Sequence, residues 1–145
     1  MGVATYDLDR RVFSKLKQGQ ATLENWQGEA STIADYVSSW GLERFWATSR
    51  SPRLLGGGLP TTQNVPPEEQ RYFAWGVARV VLCEIVAADL GIQADMNTED
   101  FQQRLQNLDF REQTLLSDLL FEIAETVQFW TMRLKDSKDS QNAEV

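Results

Sequence analysis

The chain has 145 residues, a formal net charge of −7, 42% hydrophobic and 24% charged side chains. That is ordinary globular composition, with enough apolar material for one domain with a real core. It has no histidine and a single cysteine, which removes the commonest general base, the commonest nitrogen ligand and any disulfide within the chain. An enzyme, a zinc site and a bound cofactor are therefore not expected.

The N-terminal stretch MGVATYDLDRRVF has no long apolar run after its basic residues and does not read as a signal peptide. Residues 1–5 are expected to be loose. Leu8, Val12, Phe13 and Leu16 then recur at helical spacing, with Asp7 and Asp9 as acidic caps and Gly19 as the stop. Arg10, Arg11 and Lys15 are placed on the wet side of this helix. Residues 20–28 are ambiguous, with Leu23 and Trp26 as apolar anchors and Gly28 as punctuation. A helix over Glu29 to Trp40 follows, with Ile33, Tyr36, Val37 and Trp40 on one face. Gly41 interrupts it. Leu42 to Ser49 then form a further turn with Leu42, Phe45 and Trp46 inward and Glu43, Arg44 and Arg50 outward.

Ser51 to Val65 read as a loop, because three consecutive glycines and two prolines oppose regular structure. Gly56, Gly57 and Gly58 do not read as a phosphate cradle, since no strand precedes them and no Gly-Lys-Ser/Thr follows. From Pro66 to Gly91 the sequence predicts a central helix. Pro66 and Pro67 suit its first turn, Glu68 and Glu69 complement the dipole, and Gly91 supplies a left-handed stop. It is apolar around most of its circumference and so buried on most sides. Arg79, Glu84 and Asp89 would each be costly in lipid, so it is not a membrane span. Glu84 and Asp89 are the acids this run would bury, and Cys83 should be a packed thiol, which suits a reducing, cytoplasmic setting.

Asn97 or Thr98 should cap a short helix with Phe101, Leu105 and Leu108 as its face. Asp109 and Glu112 form a capping box that opens the longest helix, Asp109 to about Ser137. Its stripe is Leu116, Leu119, Leu120, Ile123, Val127, Trp130 and Leu134, with Arg133, Lys135 and Lys138 in its last turns. Residues 138–145 should be frayed. The expected fold is all-α, a single-domain antiparallel bundle of five or six helices spanning 1–145 with one long Gly/Pro-rich loop.

Charge is uneven. Residues 1–65 carry seven basic and six acidic side chains, and residues 66–145 seven and fifteen. An acidic particle repels nucleic acid at long range, so any such binding needs a local patch. Arg44, Arg50 and Arg53 lie close together with only Glu43 opposing. They read either as a phosphate patch or as a solvated face. Beside them, Trp26, Tyr36, Trp40, Phe45 and Trp46 are either a base-stacking surface or core, and their helical spacing with aliphatics favours core. Glu112, Asp118, Glu122 and Glu125 read either as a metal or partner site or as a solvated polar face, and the solvated face is favoured.

Taken in order, these helices resemble the small all-helical subunit of type III CRISPR effector complexes, of the Cmr type. RRVFSKLKQG is similar to the family's first helix. ASTIADYVSSWGLERFWATSR resembles its second block, in which a Gly-Leu pair, here Gly41-Leu42, separates two helices. EIVAADLGI and then EDFQQRLQNLDFREQTLLSDLLFEIAETVQFWTMRLKDS resemble its closing pattern. The resemblance implies a non-catalytic subunit that stacks along a ribonucleoprotein, against copies of itself and neighbouring subunits. Such a subunit contacts the backbone of a guide–target RNA duplex, with no membrane or small-molecule partner. It carries over Lys15, Lys17, Arg44, Arg50, Arg133 and Lys135 as phosphate contacts, and charge clustering adds Arg53. The alternative is a helical adaptor that binds only protein, which accounts directly for the acidity and predicts an exposed apolar patch.

Overall fold

The apolar stretch after Tyr72 forms α5, Phe73–Leu90, and it does sit at the centre. Every residue from Phe73 to Arg79 is buried, as are Val81, Leu82, Cys83, Val86 and Leu90. In the computed structural model, residues 5–49 and 67–143 are described, with side chains for 7–49 and 68–140. The described residues form seven α-helices and no strand. Besides α5 these are α1 Thr5–Lys17, α2 Leu23–Ala30, α3 Ile33–Thr48, α4 Pro67–Gln70, α6 Thr98–Gln106 and α7 Phe110–Ala143. The loop expected at 51–65 lies outside them.

Several boundaries differ from the sequence reading. The expected central helix is broken. Pro67–Gln70 is a separate turn with Glu68 and Glu69 at its start, and the Tyr72 N–H bonds to the Glu69 carbonyl at 3.1 Å. That three-residue closure tightens the chain, and Phe73 then packs on Trp26 with ring centroids 5.0 Å apart. The ambiguous stretch 20–28 becomes a 3₁₀ turn, Gln20–Thr22, followed by α2, and Gly28 falls inside that helix. Leu23 and Trp26 anchor it as expected, both fully buried.

Glu84 and Asp89 are exposed, not buried. With Ala88 they occupy the one wet edge of α5's last two turns. Gly91 stops that helix in the left-handed conformation, as expected. Cys83 is a buried thiol, and burial pushes its pKa up to about 12, so it stays neutral and unreactive at physiological pH.

α7 is the scaffold. It touches α1, α2, α3 and α5, and its stripe of Leu116, Leu120, Ile123, Ala124, Val127 and Leu134 is buried. Its start is the predicted capping box. The Asp109 N–H donates to Glu112 Oε1 at 3.0 Å, and the Glu112 N–H donates to Asp109 Oδ1 at 2.8 Å. At the other end it outruns the expected frayed tail and continues to Ala143. Lys138 Nζ reaches Glu24 Oε2 on α2 at 2.8 Å and lowers that carboxyl's pKa. Arg133, Lys135 and Lys138 are consequently not in the last turn and do not complement its dipole. No helix among the described residues is long and apolar enough to cross a membrane.

Close packing between the α1–α2 corner and α5 rests on Gly19. A methyl group there would lie 2.7 Å from Phe73 Cζ and 2.9 Å from Cδ1. The Gly19 carbonyl also accepts the buried Trp26 indole N–H at 2.9 Å, so the backbone has little freedom to retreat. Gly19→Ala should destabilise by about 1–3 kcal/mol through overpacking. Chemical denaturation should show Phe73→Leu suppressing most of that loss in the double variant, as expected of residues in contact.

Candidate nucleic-acid interface

Five of the seven sequence-predicted phosphate contacts are described. Arg50 and Arg53 lie outside the described residues. The five do not share a surface. Residues two apart on a helix point about 200° apart, and this splits both pairs the sequence placed together.

On α1, Lys15 turns to α5 and Lys17 does not. Lys15 was read as solvent-facing, but its side chain is only 12% exposed and its Nζ lies 2.8 Å from Glu84 Oε1. Arg11 joins the same carboxylate at 3.3 Å and bonds Asp7 at 2.8 Å. The hydrogen bond that Arg11 donates to Asp7, with help from Glu84, raises the Arg11 pKa. Both cations are therefore committed to stitching α1 to α5.

On α7, Arg133 faces outward and Lys135 lies on the opposite side. Lys135 is half-buried and lines a 330 Å³ cleft with Glu24, Gln27, Lys138 and Asp139. Arg44, on α3, is exposed, and its guanidinium lies 4.5 Å from the ring centre of Trp40.

Two of the predicted cations are joined. Lys17 Nζ lies 5.8 Å from the Phe13 ring, whose centroid is 4.9 Å from that of Trp130. Phe129 stands edge-on to Trp130 at 5.0 Å, and the Arg133 guanidinium lies 5.0 Å from the Phe129 ring. The result is a strip across α1 and α7 that begins and ends in a cation and has three rings between. Phe129 is half exposed, as is the neighbouring Met132. Asp9 fixes the strip's centre, accepting the Trp130 indole N–H at 3.0 Å. Asp136, 3.9 Å from Arg133, is the carboxylate a phosphate would compete with. The sequence reading had Trp130 only as core stripe and did not consider Phe13 or Phe129 as surface, because their meeting depends on how α1 lies on α7.

A second feature lies at the other end of α7. Gly41 has φ 83° inside α3 and kinks the helix there, a conformation a side chain would strain. The register slips at the kink. Ile33 and Val37 before it and Leu42, Phe45 and Trp46 after it are buried, but Trp40 is turned out and 54% exposed. It was expected on the buried face with Ile33, Tyr36 and Val37. Trp40 lines an open cleft of about 450 Å³ together with Glu43, Phe110, Thr114 and Ser117. Phe110, the first residue of α7, is 83% exposed. From Ser117 to Arg133 the axis of α7 runs about 24 Å, so this cleft and the strip are separate surfaces.

The remaining aromatic rings near Arg44 are core. Trp46 is fully buried and stacked on Phe101 at 4.2 Å, and Phe45 is stacked on Trp75 at 5.7 Å. A residue the sequence treated only as a polar exception, Arg79, closes this core. It is 2% exposed and lies 3.7 Å over the Trp46 ring. Its Nε donates to the Ala94 carbonyl at 2.8 Å. Nη1 donates to the Trp46 carbonyl at 3.0 Å and to Ser49 Oγ at 3.2 Å, and Nη2 donates to the Met96 carbonyl. Burial lowers its pKa to about 10, so it remains charged at neutral pH. The only warning in the sequence was one arginine in the middle of an apolar run. No cluster of three or more metal-binding side chains occurs among the described residues. Compared with protein-family profiles, with curated proteins and with solved structures, the chain gives no match.

Proposed function

We propose that the protein is a non-catalytic helical subunit of an RNA-guided effector ribonucleoprotein, of the type III Cmr kind its helix order resembles. It holds its place by contacts with neighbouring subunits and copies of itself, and touches the guide–target duplex at the phosphate backbone. The observation that supports RNA contact is the strip Lys17, Phe13, Trp130, Phe129 and Arg133. Cations flanking a flat apolar surface suit a sugar–phosphate backbone and carry no base code. Of the residues first assigned to phosphates, Lys15 and Lys135 drop out of this reading because of their placement.

Two phosphate-facing cations on an acidic particle make a weak, salt-sensitive contact. Log affinity for an RNA duplex should fall with log salt at a slope of about −2, on the order of one per neutralised phosphate. Lys17→Ala and Arg133→Ala should each reduce that slope by about one. Fluorescence anisotropy with a labelled duplex across a salt series measures it, and an unchanged slope in the double variant removes the strip from the reading.

A second reading, an adaptor that binds only protein, is favoured by the exposure of Trp40, Phe110, Phe129 and Met132. It requires that the protein fail to retain RNA even at low salt.

A further inference from the structure

α7 is packed along one side. Its buried stripe from Leu116 to Leu134 meets the other helices, and its opposite side faces water. On that side Phe110, Asp118, Phe121, Glu125 and Met132 lie one or two helical turns apart. They form one seam about 33 Å long. Phe110 is nearly fully exposed, Met132 is half exposed and Phe121 is half-buried. Near the seam's end, Glu125 and Met132 line an open hollow of about 440 Å³ together with Phe129 and Arg133 of the strip. Between Arg111 and Arg133 the helix carries four carboxylates and no cation. Asp7, Glu24 and Glu84 are each paired, whereas Asp118, Glu122 and Glu125 form no ion pair with a described residue.

Charge decides what covers the exposed rings. A nucleic acid would set phosphates against three unpaired carboxylates. An anionic lipid surface is repelled in the same way. A second copy laid on this seam would oppose acid with acid, because the seam has no cation to offer. A wholly apolar segment would cover the carboxylates without pairing them, and desolvating an unpaired charge is costly. A helix with an apolar stripe flanked by lysines or arginines meets both demands. Its stripe covers Phe110, Phe121 and Met132, and its cations reach the carboxylates between and beside them.

We infer that the outward seam of α7 docks a cationic amphipathic helix of a protein partner. The inference rests on the proposed function in one respect, that the subunit is held by neighbours, and it names the face and the chemistry of the neighbour. Exposed ion pairs contribute little each. The rings therefore hold the partner, and the carboxylates select it.

The test uses the whole chain and a labelled helical peptide of about 22 residues, the length of the seam. The peptide has leucine along one face and lysine elsewhere. One control replaces its lysines by glutamate, and another replaces its leucines by serine. In fluorescence anisotropy at low salt the leucine–lysine peptide should bind and neither control should. Asp118→Asn, Glu122→Gln and Glu125→Gln together should weaken binding by about 3- to 150-fold, the factor equivalent to three exposed ion pairs. Phe110→Ala and Met132→Ala should each weaken it by about 5-fold or more, as for a side chain that contributes to an interface. Glu68→Gln, Asp89→Asn and Glu99→Gln remove the same charge from exposed acids on α4, α5 and α6, and together they should change affinity little. All the substituted side chains are exposed, so unchanged thermal melting confirms that the variants fold.

The Lys17→Ala, Arg133→Ala double variant separates this inference from the RNA reading. It should lose duplex affinity and keep peptide affinity. Equal weakening by the two triple variants would overturn the inference in favour of unspecific attraction between opposite charges, as would tight binding of the serine–lysine control. Loss of RNA affinity in Phe110→Ala and Met132→Ala would overturn it in favour of RNA on the seam. Self-association of the native protein that the same two variants abolish would overturn it in favour of a second copy.

Discussion

Replacing Arg79 by methionine should cost about 3–5 kcal/mol of folding stability, the loss typical of removing one partner from a buried charged network. Methionine fills much of the volume but donates nothing. The carbonyls of Trp46, Ala94 and Met96 would each lose a charge-assisted donor; Trp46 keeps the Ser49 hydroxyl and Met96 keeps the Trp46 indole, whereas losing the arginine at the part-buried Ala94 acceptor is costly. Two of those carbonyls belong to the connection between α5 and α6. The third is at the C-terminal end of α3, where helix carbonyls lack partners and the dipole favours a cation. One side chain on the central helix therefore fastens both its neighbours. Arg79→Lys should recover little, because an ammonium cannot span acceptors arranged for a planar fork. Urea denaturation measures this, with a midpoint shift at constant m as the sign of a stability change. The sign with pH follows from the lowered pKa of about 10. Between pH 6 and 9 the group is charged in both the folded and unfolded states, so the difference between native and Arg79→Met proteins should be flat there. As pH rises above 10 the penalty of burying the charge is relieved, and the native protein should gain from this group. A loss below about 1 kcal/mol, or a steep dependence below pH 9, would contradict the assigned bonding.

Trp46→Ala should cost a comparable ~3–5 kcal/mol, the range for deleting a fully buried aromatic. The ring is sandwiched between the Arg79 guanidinium and Phe101, and its indole N–H donates to the Met96 carbonyl at 3.0 Å. The same oxygen accepts from Arg79. Because the two side chains share an acceptor and a stacking face, the Arg79→Met, Trp46→Ala double variant should lose less than the sum of its singles. The shortfall should be about 0.5–3 kcal/mol in a double-mutant cycle. Strict additivity would mean that ring and cation act independently. By contrast, Trp40→Leu should leave stability nearly unchanged, although Trp40 and Trp46 are only six residues apart on one helix. Their different fates come from Gly41.

The two surfaces meet different demands. The strip across α1 and α7 carries cations at its ends and suits a backbone of repeating charge. The cleft at the α3 kink has an acid, Glu43, in its wall beside the exposed rings of Trp40 and Phe110.

The sequence by itself determined much of what depends on neighbours along the chain, but not the break after Gln70 or the length of α7. Helical periodicity predicted the all-α fold, the stripe of α7 and the burial of Phe45 and Trp46, whereas Leu23 and Trp26 read only as apolar anchors of an ambiguous stretch. Local capping chemistry located the Asp109–Glu112 box, a cap at Asn97 or Thr98 and the Gly91 stop, because each needs only residues three or four apart; the structure selects Asn97. Tertiary structure decided which charges remain free. Lys15 and Lys17 are nearly indistinguishable in sequence, yet one is held at Glu84, 69 positions along the chain, and the other lies over Phe13. Arg79, Glu84 and Asp89 all interrupt the same apolar run, and only the packing of α3 and the 91–97 segment selects Arg79 for burial. Charge pairing acts through space between helices, whereas periodicity acts along one helix. The number of cations was therefore open to reading, and the surfaces they form were not.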